Sequence, residues 1–203
     1  MKLYYLPGAC PLATHIVLEW IGKPYELQRM ARDELKKPEF LALNPVGSVP
    51  VLTDGDFVLT QSSAILEYLA DLNPQADLLP QELQARAEVR RWLAFCNADL
   101  HRTFALIFGA QGYTSNPECQ QELISATAAR LVMLFGIADA QLEGKRWVAG
   151  TRSLADPYLY TLLRWARAKD IDLSTMQNLQ AFYARIEADS GVQAALKAQG
   201  LQV

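Results

Sequence analysis

A chain of 203 residues with a 51% hydrophobic share is long enough to bury a core, as one large domain or two small ones. Its formal charge of −3, with no Lys/Arg block, argues against a nucleic-acid partner, whose phosphates call for a basic excess. The opening apolar run is cut by Pro7 and Gly8, too short for a signal-peptide core or a membrane span, which predicts a cytoplasmic protein without a membrane partner.

In chain order, Lys2 to Leu6 is a strand, broken by Pro7-Gly8-Ala9 before the periodic run Leu12, Ile16, Val17 and Trp20, a helix that Gly22 closes. Tyr25 to Met30 is a second strand, and the helical crossover makes the pair parallel. Phe40-Leu41-Ala42-Leu43 has room for a helical turn or two before the turn-rich Asn44 to Ser48. Val49 to Thr53 and Phe57 to Thr60 flank Asp54-Gly55, the signal of an antiparallel hairpin. A helix follows with Ser62 or Ser63 as its N-cap, and Asn73 to Pro80 is a linker. Beyond it strand signals vanish. Long helices are predicted over Gln81 to about Gln111 and Pro117 to about Glu143, then a helix whose start carries Ser153 and Asp156 at capping-box spacing. Shorter helices span about Met176 to Asp189 and Val192 to Ala198, with Gly191 as the break between them. The order β-α-β then β-β-α is that of a thioredoxin-like domain, so the fold class is α/β plus all-α. The boundaries are 1–79 for the thioredoxin-like part and 80–203 for the helical part.

Three cysteines, Cys10, Cys96 and Cys119, rule out an even disulfide framework, and none has metal-ligand spacing; no metal site is expected. Cys10 follows the strand-ending Pro7-Gly8-Ala9 and precedes Pro11, which favours the first helical position. The sulfur therefore stands at a helix N-terminus, where the dipole is expected to lower its pKa below the usual thiol value and make it a nucleophile. A small buried core residue is the competing reading. His15 lies about 140° around the helix from Cys10 and is assigned to structure. Cys96 and Cys119 are assigned to packing. Val49-Pro50 opens a strand in extended geometry; were the bond cis, its backbone could pair with a peptide-like ligand, whereas an ordinary trans proline is the default. Gln61-Ser62 opens a helix directly after a strand and could hold an anionic or amino-acid-like group, or simply cap the helix. His101, Phe104 and Phe108 share one helix face, lining either an apolar pocket or the core.

Taken together these segments resemble the soluble glutathione transferases, most closely their bacterial beta class. The resemblance runs through KLYYLPGAC, NPVGSVPVL, QSSAILEYLAD, WLAFCNADLH and SLADPYLYTLLRWA in order, over essentially the whole chain. It implies glutathione as co-substrate, a small hydrophobic electrophile as second substrate, detoxification as the role and a homodimer as the assembly. It further implies that Cys10 contacts the glutathione sulfur or forms a mixed disulfide with it. Val49 before a cis Pro50 would pair with the cysteinyl backbone, and Gln61 and Ser62 would hold the γ-glutamyl end. His101 would stand near the thiol, and Arg32 would meet the glycine carboxylate. The electrophile pocket would be lined by Phe104, Phe108 and Tyr113. Two positions depart from the class: Pro11 replaces a common Ser, and Ala94 stands where relatives often carry an Asn that reaches glutathione. A noncatalytic binding or regulatory protein on the same scaffold is the competing function.

Overall fold

The computed structural model describes residues 1–202. Strand β1 (Lys2–Tyr5) buries Leu3 and Tyr5 on one face and ends at Pro7-Gly8. Helix α1 (Pro11–Ile21) takes Pro11 at its first position and closes on Gly22, whose φ of 71° is the left-handed geometry a C-cap needs. Strand β2 (Glu26–Arg29) pairs parallel with β1, Leu3 opposite Leu27. A short 3-10 turn, Glu34–Lys36, leads to α2 (Pro38–Leu43).

Strands β3 (Val51–Asp54) and β4 (Phe57–Thr60) form the hairpin around Gly55, and β3 also lies antiparallel to β1. The sheet order is β2-β1-β3-β4. Strand β3 begins after Pro50 rather than at Val49, because a proline has no N–H to give to a ladder. Helix α3 (Ser62–Leu72) starts on Gln61, not on Ser62 or Ser63 as the cap rule suggests. Gln61 takes a φ of 73° and makes no side-chain cap bond, an unusual backbone for a residue with a side chain.

The helical half begins with α4 (Leu83–Ala94), capped by the Glu82 carboxylate on the N–H groups of Gln84 and Ala85. The single helix expected from Gln81 to about Gln111 is interrupted: Phe95–His101 is a π-helical segment, continued by α5 (Arg102–Phe108). A π turn adds a residue to the spiral and re-aims side chains after it, a device common at functional sites. Helix α6 (Pro117–Gln141) is capped by Asn116. Helix α7 (Ala155–Ala168) runs buried through the centre of this half. Gly191 proves not to be a break: α8 (Gln177–Glu187) and α9 (Ser190–Gln199) part at the cap Asp189. Gly191 sits inside α9, where a Cβ would lie 2.7 Å from the Trp20 ring, so it is a close-approach glycine.

The two halves share one core. Ile16 and Val17 of α1 join Trp92, Phe104, Tyr158 and Phe182 of the helical half, all fully or almost fully buried. Polar clamps tie the halves together as well: the Trp20 Nε1–H donates to Asp189 at 2.7 Å, and the Arg152 guanidinium lies 3.9 Å from the centre of the Trp20 ring.

Candidate active site

Cys10 stands between the strand-ending turn and α1, and its sulfur faces the loop that leads into β3. The Cys10 thiol donates to the Val49 carbonyl at 3.4 Å. The Val49-Pro50 peptide is cis, the alternative the sequence left open. Asn44, itself buried, braces the loop from within: its Nδ2 donates to the Ser48 carbonyl at 2.6 Å and its Oδ1 accepts from Val46 N–H at 3.1 Å. Gly47 has a φ of 66°, and a Cβ there would stand 3.0 Å from the Leu35 carbonyl, so the loop passes too close for any side chain.

Two cavities meet at this sulfur. One, of about 170 Å³, is lined by Cys10, Asn44, Val49, Gln61, Ser62 and Asn97, with Pro50, Ser48 and His101 closing it. The other, of about 470 Å³, opens past Cys10, Val49 and His101 toward Arg32, Phe108 and Trp165. Cys10, Ser48, Val49 and His101 line both. A third cavity of about 410 Å³ between α7 and α8 is lined by no cysteine or histidine, and its Arg167 already stacks on Tyr183 at 3.4 Å.

The expected low pKa of Cys10 is not what this environment produces. Burial pushes the thiol up to about 11, and the Ser62 hydroxyl offsets this only in part. Two local features explain the reversal. The thiol is 6% exposed and donates to a carbonyl, a bond only the protonated form can make. Pro11 also removes an N–H that would otherwise point at the sulfur.

His101 reaches both cavities from the end of the π segment. Its Nδ1 is 2.6 Å from the Tyr158 hydroxyl, which donates its single hydrogen to Asn97 Oδ1 at 2.9 Å. That arrangement puts the His101 hydrogen on Nδ1 and leaves Nε2 with a lone pair. Burial lowers the His101 pKa to about 4, so the ring is neutral near pH 7.

Of the residues expected to line the electrophile pocket, the structure brings in Phe108 alone. Phe104 is fully buried behind it, stacked on Phe108 with ring centres 5.8 Å apart and wedged against Trp165 and Phe135. Sharing a helix face did bring the two rings together, but Trp165 from α7 covers the inner one. Tyr113 is 64% exposed and lines neither cavity. Trp165, Asn97, Ser48 and Asn44 are lining residues that sequence reasoning missed. Asn97 carried a faint signal, since it lies one turn before His101 on a stretch already singled out.

Residues 1–71 match the family described as Glutathione S-transferase, N-terminal domain, and residues 102–189 its C-terminal domain. The chain belongs to the glutathione S-transferase family. A glutathione S-transferase of Xanthomonas campestris is 45% identical to it over 203 residues, covering 99% of this chain and 100% of the relative. Among solved structures, a glutathione S-transferase from Xylella fastidiosa shares 46% identity at a TM-score of 0.95, covering 99% of each chain. A sphingomonad transferase complexed with glutathione superposes at a TM-score of 0.88 with 35% identity over 100% of both chains. A beta class transferase from Sphingomonas chungbukensis does so at 0.88 and 34% identity, again over 100% of both. This transferase is thus an enzyme of the glutathione-dependent kind, with glutathione as its co-substrate.

Proposed function

We propose that this transferase binds glutathione across the two cavities with its sulfur at Cys10, and passes it to, or reduces with it, a small apolar electrophile or disulfide beside Phe108 and Trp165. The observation that carries this reading is the convergence of Cys10, Val49, Gln61, Ser62 and His101, from both halves of the chain, on one cavity. In it, Val49 offers backbone groups to the cysteinyl part, while Ser62 and Gln61 hold the γ-glutamyl end at the start of α3. His101, neutral with a free Nε2, accepts a hydrogen bond from the glutathione thiol, and Cys10, protonated, donates to the glutathione sulfur as it ionises. The aromatic floor of Phe108 against Trp165, centres 5.1 Å apart, suits an apolar or aromatic second substrate. Retention on immobilised glutathione, with turnover of an aromatic electrophile, is the expected result. A folded protein that neither binds the column nor turns over the electrophile counts for a noncatalytic scaffold instead.

Arg32 is the residue proposed for the glycine carboxylate. It lines the wider cavity on the side away from Ser62 and is exposed. An ion pair at an exposed position contributes about 1 kcal/mol. Arg32→Ala is therefore expected to raise the KM for glutathione roughly fivefold while leaving kcat near the wild-type value. Steady-state kinetics at varied glutathione check this, and an unchanged KM would assign the carboxylate to another partner.

A cytoplasmic homodimer with a detoxification role completes the proposal. Several large apolar side chains stand exposed, among them Phe57 and Leu83, together with Met133 and Ile137 on α6. Helix α6 is long and apolar enough to cross a membrane by length and composition, yet Leu131, Leu134, Phe135 and Ala138 on it pack into the core. That division supports a protein partner over a lipid one, and light scattering in dilute solution tests for the dimer.

A further inference from the structure

The turn that presents Cys10 is held at Gly8 from the other half of the molecule. Gly8 has a φ of 72°, a left-handed backbone that favours glycine. The Gly8 N–H donates to Gln199 Oε1 at 3.0 Å, and the Gly8 carbonyl accepts from Trp165 Nε1 at 2.8 Å. Around the turn, backbone bonds run from Ala9 N–H to Leu6, Leu12 N–H to Ala9 and Ala13 N–H to Cys10, and none of them uses the Gly8 N–H or carbonyl. The end of α9 covers the same spot, Leu201 Cδ2 lying 3.5 Å from where a Gly8 Cβ would be.

Gln199 is not free to turn. It is 4% exposed, and its Nε2 lies 3.0 Å from His15 Nδ1. His15 is fully buried in α1, with its Nε2 2.9 Å from the Tyr25 hydroxyl, which in turn donates to Glu19. Donor counting fixes the direction of this chain. The one hydroxyl hydrogen of Tyr25 goes to the Glu19 carboxylate, so His15 Nε2 carries a hydrogen and His15 Nδ1 accepts from the amide. The amide nitrogen of Gln199 thus faces His15, and its oxygen faces Gly8. Burial keeps His15 neutral, its pKa lowered to about 4, so Nδ1 remains an acceptor.

We propose that Gln199 is a positioning residue for the reaction. Oriented by His15 and acting with Trp165, it fixes the Gly8 peptide and thereby the direction in which Cys10 presents its sulfur. It touches no substrate, since it lines neither cavity at the sulfur. The proposal rests on the reading that Cys10 is the reacting thiol. Only Ala9 separates Gly8 from Cys10, so a peptide released at Gly8 re-aims the sulfur, and misplacement of a reacting group by about 1 Å costs on the order of a hundredfold in rate.

Gln199→Leu removes both bonds at similar volume, while Gln199→Glu, whose buried carboxyl holds a proton to share with His15 Nδ1, keeps an acceptor for Gly8. The leucine variant is expected to lose kcat for disulfide reduction by roughly 10- to 100-fold with little change in the KM for glutathione, and the glutamate variant to recover most of it. Should the leucine variant not fold, Gln199→Asn, one methylene too short to span both partners, is read in its place with the same expectation. Wild-type kcat in the leucine variant, or a loss the glutamate fails to restore, overturns the proposal. Cys10→Ala assayed alongside separates the two claims. If it keeps full reductase activity, the reading of Cys10 fails and this inference with it. If it is inactive while the leucine variant is normal, the inference on Gln199 alone fails.

Discussion

Cys10→Ala is expected to reduce thiol–disulfide exchange to the uncatalysed level while sparing part of the conjugating activity. In exchange, the Cys10 sulfur itself forms and then releases a mixed disulfide, so alanine leaves no covalent partner. In conjugation the attacking atom is the glutathione sulfur, and Cys10 contributes a hydrogen bond to it. A bond to a charged group is worth about 1.5 to 3 kcal/mol, so conjugation should fall by roughly 10- to 100-fold. With burial pushing its pKa up to about 11, the unliganded thiol is a hydrogen-bond donor at neutral pH, the form conjugation uses, and exchange requires it to lose that proton first. Parallel assays with a disulfide and an aromatic electrophile decide it. Equal losses in both would mean that Cys10 performs the same task in each reaction.

The second large effect concerns stability. Asp156 is fully buried at the start of α7 and accepts from Val148 N–H at 2.9 Å, Ser153 N–H at 2.7 Å and the Ser153 hydroxyl at 3.0 Å. The sequence spacing anticipated the pairing with Ser153; the bond to Val148 ties the preceding loop into the same carboxylate. Asp156→Ala strands three buried donors and removes the helix start of the most buried helix in the chain. Each buried donor left without a partner costs about 1 to 3 kcal/mol, so a loss of at least about 3 kcal/mol is expected. A lower denaturant midpoint with little change in the slope is the expected result, and a loss under about 1 kcal/mol, the worth of an ordinary cap, would show that water replaces the carboxylate.

The same residue predicts a pH dependence. Burial raises the Asp156 pKa from 3.8 to about 7, the three hydrogen bonds and Arg152 opposing it. A folded pKa above the unfolded one favours the proton in the folded state, so this contribution is full below about pH 4 and fades as pH rises toward 7. Asp156→Asn should flatten that part of the stability curve.

Most of the architecture was legible in the sequence because it is encoded locally. Strand β1 alternates inward and outward residues, Gly22 can take the left-handed cap, Gly55 makes the hairpin, and Pro11 opens α1; each acts over a few residues. The Cys10, Val49-Pro50 and Gln61-Ser62 segments were visible for the same reason, since each lies at the edge of an element, and His101 was visible through helix periodicity. Local rules also erred locally: Gly191 reads as a helix break until the Trp20 ring is placed against it.

What the tertiary structure alone decided lies between partners distant in sequence. Trp165 and Gln199 meet Gly8 across 157 and 191 positions, and Tyr158 meets Asn97 across 61. No periodicity or spacing encodes such meetings, because they depend on how whole helices dock. Docking likewise chose Phe108 over Phe104 and Tyr113 for the cavity wall, although helix periodicity treats the first two as equals. It also set the acidity of Cys10. A helix N-terminus lowers a thiol pKa only while solvent or donors reach the charge, and how much surface remains open is settled by the loops and helices packed around it.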